Sequence, residues 1–232
     1  MDIRRRADTL EIMDTLECSA EELSAALNFL KTANSFFGGA RVILNHLDSA
    51  LPKIAESFTL LDVGCGLGDI GLKVIEWGRL VGRTARVTAL DGSPEVIGLA
   101  KENARGREGI EFIAADFLSW ECPEDSFDFV TASLVLHHLP ENKLLEFVQK
   151  CGRIARQGVV FSDLERSRAG YWAVSLASRV LGNRIVRNDG PLSVRRAFKV
   201  AELERLAKDA GLPYLKARKE EFFRLSLSGE KN

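Results

Sequence analysis

"LLDVGCGLGDIG", residues 60–71, decides how the rest of this chain is read. An apolar run of strand length ends in three glycines at alternate positions, Gly64, Gly66 and Gly68, and a helix-like segment follows. Glycine reaches backbone conformations closed to other residues and lets a ligand approach the main chain. A helix opening at such a turn also presents unpaired N–H groups. Alone the turn is a weak signal, because a strand-to-helix connection can use the same glycines with no ligand.

The alternation continues downstream. "ARVTALD" reads as a second strand and "SPEVIGLAKENA" as a helix, with Ser93 as its cap and Pro94 at the first helical position. "IEFIAAD", "FDFVTASLVL" and "QGVVFSDL" supply strands three, four and five, with the helix "ENKLLEFVQKCGRIA" before the last. Short apolar strands alternating with helices predict a mostly parallel sheet covered on both faces. "KVAELERLAKDAGL" is a further amphipathic helix, and "YLKARKEEFFRLSLS" reads as a closing strand pair. Upstream, "CSAEELSAALNFL" carries a capping-box spacing at Ser19 and Glu22, and apolar residues then recur at helical intervals with a break at Gly38-Gly39. Residues 1–57 are therefore expected to be a helical lid and residues 58–232 one α/β domain. Within that domain, residues 164–199 form a helical insertion on the substrate side, and "DGP" at Asp189 is read as a turn.

Composition narrows the function classes. The 232 residues carry a formal net charge of −1, which offers no global attraction for nucleic acid. Four cysteines lack CxxC spacing, so neither a disulfide framework nor a metal site is expected. The N-terminal arginines precede no apolar run, and no segment approaches the roughly 20 apolar residues of a membrane helix. A cytoplasmic protein is the expectation, with a homodimer allowed.

Three strand ends carry carboxylates. Asp62 lies two residues before the first glycine, where it would suit a cationic ligand rather than a pyrophosphate. Asp91 ends strand two, placed to accept from ribose hydroxyls. Asp116 and Phe117 follow strand three, where an amino group and a ring face could be met. In order and separation, "LLDVGCGLGD", "VTALDGS", "IAADF" and "FDFVTASLVLHHL" resemble the motifs of class I S-adenosylmethionine-dependent methyltransferases. The resemblance covers roughly Leu60 to Asp163. It implies a Rossmann-like seven-stranded sheet whose last strand is antiparallel, with S-adenosyl-L-methionine as the cofactor. It further implies that Asp62, Gly64, Cys65 and Gly66 line the methionine side, and that Asp91, Gly92 and Ser93 bind the ribose. Asp116 and Phe117 would bind the adenine, and the Ser133 carbonyl the methionine amino group. A nicotinamide or flavin dinucleotide is the competing coenzyme, although its GxGxxG spacing places the third glycine one residue later.

Candidates for chemistry follow strand four. Histidine as a residue type titrates near neutrality, so His137 and His138 of "LHHL" could act as base, although such a pair also serves as packing at a helix start. Asp163 and Arg166 after strand five could touch substrate or simply pair with each other. Asp189, Ser193, Arg195, Arg196 and Phe198 could bind an acceptor, or form a solvated charged face. Tyr171 and Trp172 could wall a planar ring, and His46 is expected to face solvent. The opening segment and the insertion resemble, more loosely, small-molecule methyltransferases of polyketide or quinone biosynthesis. That implies secondary metabolism and a phenolic, quinol or polyketide-like acceptor methylated on oxygen or carbon, with Asn34, Phe37 and Gly39 near the methionine end. The alternatives are a non-catalytic S-adenosylmethionine-binding regulator or scaffold, and a protein or RNA methyltransferase.

Overall fold

Strands β1 (Ser57–Val63) and β2 (Thr84–Asp91) flank the glycine turn, and α4 (Asp69–Leu80) connects them. The computed structural model describes residues 3–15, 18–36 and 38–231, with side chains at all of these but 35 and 36. Phe37, expected near the methionine end, lies outside the described residues. After β2 come α5 (Pro94–Asn103), β3 (Ile110–Ala114), β4 (Phe127–Ser133), α6 (Glu141–Ile154) and β5 (Ala155–Leu164). The insertion forms α7 (Arg168–Leu181) and α8 (Arg184–Arg196), and the chain closes with α9 (Val200–Asp209), β6 (Lys216–Glu220) and β7 (Arg224–Glu230).

One seven-stranded sheet results, in the order β3-β2-β1-β4-β5-β7-β6. Strands β1 to β5 pair in parallel, whereas β7 runs antiparallel to β5 and β6 antiparallel to β7. Strand order reverses between β1 and β4, with Asp62 beside Thr131. In open α/β sheets that crevice collects ligands, and here it brings the glycine turn next to Ser133.

Both faces of the sheet are covered, which is why β1 reads as a near-continuous apolar run. Residues of α6 and α9, among them Phe147, Val148 and Leu203, pack on one face with Leu61, Val130 and Phe161. The other face takes Ile70 and Val74 of α4 and Trp77, whose indole donates to Asp48 at 2.7 Å. Ile43 and Leu47 of α3 (Gly39–Ala50) lie in that same cluster, so this N-terminal helix is part of the sheet's cover. His46 is accordingly half-buried, its ring edge-on to Phe129 and its Nε2 without a partner, rather than solvent-facing.

The remaining N-terminal elements, α1 (Ile12–Thr15) and α2 (Ala20–Phe36), lie over the carboxyl edge of the sheet. Ser19 and Glu22 form the expected reciprocal cap of α2, each bond 3.2 Å long. Leu23 and Leu27 pack on Leu67 of the glycine turn and Val96 of α5. The insertion departs from expectation at "DGP": Gly190 and Pro191 are inside α8, not in a turn. The Asp189 carboxylate accepts from the N–H groups of Ile12 and Met13 at 2.9 and 3.1 Å, capping α1 from a distant helix. Local turn propensity yields here to a long-range cap.

Candidate active site

The glycine turn is built by two different constraints. Gly64, Gly66 and Gly68 all have φ between 53° and 71°. A Cβ on Gly64 would lie 2.5 Å from Val135 Cγ2, so this position is closed by close approach of the segment after β4. A Cβ on Gly66 would meet no protein atom within 4 Å, which leaves an open cradle at that residue. The Gly66 and Ser93 N–H groups donate to the two oxygens of Asp91, each at 3.1 Å, and fix that carboxylate at the tip of β2.

Around this cradle the polar groups are short of partners. Asp62 is 1% exposed, and its Oδ2 has none; the same holds for Asp69 Oδ2 and Ser133 Oγ. Burial, with the Asp69 and Asp91 carboxylates adding to it, raises Asp62 well above the usual carboxylate range. Burial likewise pushes Asp91 up. An edge with clustered carboxylates and orphaned acceptors calls for a ligand that brings positive charge and donors. An amino acid carrying a sulfonium has both, so the residues present fit S-adenosylmethionine.

Two of the implied contacts are redirected. Phe117 is buried, its ring 4.9 Å from that of Phe147 and below the Lys150 ammonium, so its face is in the core and not toward a nucleoside. The Cys65 side chain packs with Ala89 and Ile97, which leaves only its backbone for the rim. Asp116 is exposed and accepts from Leu118 N–H at 2.9 Å. Gly92 is exposed, and Ser93 caps α5 by accepting from Val96 N–H at 3.3 Å.

Beside the rim lies a cavity of about 240 Å³. It begins at Leu134, directly after Ser133, and is walled by Phe29 and Leu30 of α2, Val174 and Ala177 of α7, and Ile185 of α8. Phe222 and Phe223 of the β6–β7 turn complete it, both at positive φ, as is Leu134. Three non-glycine residues in that conformation store strain in the cavity lining.

The cavity has one polar end, formed by Glu11, His137, His138 and Arg224. His137 Nδ1 lies 2.6 Å from Asp163 Oδ1, and the same carboxylate accepts from the His137 backbone N–H at 3.1 Å. His138 Nδ1 lies 2.6 Å from Asp14 Oδ1. Burial works to raise Asp163 and Asp14, but the charge and hydrogen bond of each histidine outweigh it and hold both carboxylates low. Burial pushes Glu11 up to about 7, only partly opposed by His138 and Ser193. Arg224 donates to Asn34 Oδ1 at 2.7 Å, and Asn34 is among the groups that oppose the rise which burial imposes on Asp69 beside the glycine turn. Helix α2 thus links the cavity to the rim through Asn34, and a Cβ on Gly39 would lie 2.6 Å from that amide oxygen.

Other expected substrate contacts are elsewhere. Arg166 neither pairs with Asp163 nor lines the cavity; its guanidinium is fully buried against Glu202 and the carbonyls of Ala197 and Ile3. Arg195 is not among the lining residues, whereas Asp189 and Ser193 are. Arg196 ties the insertion to the site by donating to the His137 and His138 carbonyls at 3.0 and 2.9 Å. Trp172 is 64% exposed on the outer side of α7, and Tyr171 is edge-on to it, so neither walls the cavity. Glu11 and Asp14 were not legible as site residues: they stand more than 120 positions before the histidines, in a segment with no periodic signal.

A family model described as a methyltransferase domain matches residues 60–158. The match runs from β1 into β5 and spans the glycine turn and the acidic strand ends. Demethylmenaquinone methyltransferase of Staphylococcus aureus (strain MRSA252) is 28% identical to the chain over 115 residues, covering 50% of it and 46% of that protein. The Bacillus licheniformis demethylmenaquinone methyltransferase is 26% identical over 118 residues, 51% and 49% of the two chains. The matched part is thus about half the length of these curated relatives. Among solved structures, a SAM-dependent methyltransferase from Aquifex aeolicus is similar with a TM-score of 0.60 at 17% identity, covering 92% of this chain and 99% of that one. Human N-acetylserotonin methyltransferase, solved in complex with SAM, gives a TM-score of 0.68 at 18% identity over 96% of this chain and 59% of its own. This fold is thus shared by proteins of diverse sequence. No helix among the described residues is long and apolar enough to cross a membrane.

Proposed function

We propose that this chain transfers a methyl group from S-adenosylmethionine to an oxygen, or an oxygen-activated carbon, of a small planar acceptor of the phenol, quinol or polyketide kind. The observation that carries the reading is a largely apolar cavity that adjoins the cofactor rim at Leu134 and is lined by two carboxylate-backed histidines. Its volume of about 240 Å³ is at the small end of ligand cavities, which favours a small molecule over a protein or RNA chain. The curated relatives matched over half their length act, by name, on demethylmenaquinone, a quinone-type acceptor.

Asp62 and the Ser133 carbonyl would take the cofactor's amino group, Asp91 its ribose, and Asp116 its adenine amino group, with the open cradle at Gly66 receiving the chain between them. The bound cofactor supplies an electrophilic methyl, so the protein's task is alignment, exclusion of water and removal of the acceptor's proton. The walls from α2, α7 and the β6–β7 turn would orient the acceptor and keep water out. With Nδ1 committed to a carboxylate, the Nε2 of His137 or His138 is the atom placed to receive that proton. Asp163 and Asp14 would then stabilise the imidazolium that forms.

The test combines calorimetry with S-adenosylhomocysteine and NAD, and a screen of phenols, quinols and short polyketides with labelled cofactor. Binding of S-adenosylhomocysteine and label on at least one acceptor are expected, with turnover falling about 10²–10⁴-fold in His137→Ala or His138→Ala. Binding of NAD but not S-adenosylhomocysteine would reject the reading.

A further inference from the structure

The polar end of the cavity is assembled in a way that a proton acceptor alone does not require. Each histidine holds Nδ1 at 2.6 Å from its own carboxylate, Asp163 for His137 and Asp14 for His138. That bond places the ring proton on Nδ1 and leaves the Nε2 lone pair available. Both Nε2 atoms turn toward one carboxylate: His137 Nε2 is 3.8 Å from Glu11 Oε1, and His138 Nε2 is 3.9 Å from Glu11 Oε2. These separations are too long for hydrogen bonds. They are close to those between two ligands that share one cation at bonds of about 2.0–2.2 Å.

Three donor atoms, one from each side chain, lie within 4.8 Å of one another. Glu11 is 2% exposed, and its Oε1 has no hydrogen-bond partner, although Ser193 donates to Oε2 at 2.9 Å. A buried carboxylate oxygen without a partner is costly, and a cation between it and the imidazoles would remove that cost. Arg196 Nε is 3.9 Å from Oε1, but that guanidinium is committed to the carbonyls of His137, His138 and Thr9 and to Asp14. Carboxylate groups behind both imidazoles are the outer-shell arrangement that orients metal-binding histidines.

We propose that Glu11, His137 and His138 bind one divalent transition-metal ion, with a coordination position open to the acceptor cavity. Two imidazole nitrogens and one carboxylate suit zinc, cobalt(II) or iron(II) better than calcium or magnesium, which take oxygen ligands. An acceptor hydroxyl at the open position would lose its proton to water and keep the electron pair on the metal-bound oxygen, at a lower pKa than in solution. The existence of the site stands on its own geometry; its role in activating an acceptor rests on the methyltransferase reading, and there the bound ion would replace the histidine Nε2 atoms as the means of removing the acceptor's proton.

The test uses the full chain, stripped by chelator and titrated with cobalt(II) alone, followed by calorimetry and visible absorption. One equivalent is expected, with the ligand-field bands of a low-coordinate nitrogen and oxygen site. Glu11→Gln and His138→Gln should each weaken binding by more than about tenfold, and Asp14→Asn by about 10–100-fold. Circular dichroism checks that each variant is folded, and His138, being partly exposed, is the variant least sensitive to that concern. No stoichiometric uptake, or unchanged affinity in both Glu11→Gln and His138→Gln, overturns the proposal. S-adenosylhomocysteine binding, measured in parallel, separates the two readings. Its absence alongside cobalt uptake supports the metal site and removes the methyltransferase reading. Full methyl transfer by a stripped chain that takes up no metal does the reverse.

Discussion

Gly64 and Gly66 are two residues apart in one turn and share a left-handed backbone, yet alanine at the two positions should fail for different reasons. The backbone term is common to both: a Cβ at φ 66° or 53° costs about 1–2 kcal/mol. At Gly64 the new methyl would lie 2.5 Å from Val135 Cγ2, and relieving that overlap adds about 1–3 kcal/mol. Gly64→Ala is thus expected to lose about 2–5 kcal/mol, a large share of the roughly 5–15 kcal/mol typical of a domain. Gly66→Ala should lose only the backbone share, because its Cβ would point into open space. That space is the proposed cofactor cradle, so Gly66→Ala should weaken S-adenosylhomocysteine binding about tenfold or more while the protein stays folded. Urea unfolding and calorimetry read the two effects separately. Val135→Ala should rescue part of the Gly64→Ala loss and none of the Gly66→Ala binding defect, a coupling of about 0.5–3 kcal/mol in a double-mutant cycle. Equal stability losses at the two glycines, or near-normal binding by Gly66→Ala, would refute the division between a packed and an open glycine.

Asp62→Asn should stabilise the ligand-free chain at neutral pH while abolishing S-adenosylhomocysteine binding. The native pKa of Asp62 is raised, so its contribution is fully present below the unfolded value of 3.8 and is lost as pH rises through the folded one. The gain should therefore appear as pH rises above 3.8 and level off above the folded value in urea titrations, and a gain independent of pH would contradict the assignment. Replacing Phe222-Phe223 by Asn-Gly relieves two positive-φ positions and should raise stability by about 1–2 kcal/mol while raising KM for the acceptor; a fall in the thermal midpoint would refute the strain argument. Arg166→Ala removes a buried guanidinium from the Ala197 and Ile3 carbonyls and from the partly exposed Glu202, and should cost about 1–3 kcal/mol with S-adenosylhomocysteine affinity unchanged, whereas a pure loss of acceptor binding would restore Arg166 to the substrate site.

Much of the framework was written locally. The glycine turn, the apolar runs of β1, β4 and β5, the Ser93-Pro94 helix start and the Ser19–Glu22 cap all depend on neighbours a few residues apart, and each formed where its pattern stood. The acidic rim was legible for the same reason, since parallel strands deliver their carboxyl ends to one edge. Phe117 and Cys65 were misplaced because a position in a motif says where the backbone passes and not which way the side chain turns.

Long-range relations were decided only in the tertiary structure. Asp189 caps a helix more than 170 residues upstream, Arg166 turns to Glu202, and Glu11 and Asp14 meet the histidines from the other end of the chain. Sequence by itself determined which segments become strands and helices, because backbone sterics and apolar periodicity act within a turn or a pleat. Which charged side chains share a cavity was settled by packing, because desolvation and hydrogen bonding depend on whatever atoms the fold brings within a few ångströms, however far apart they stand along the chain.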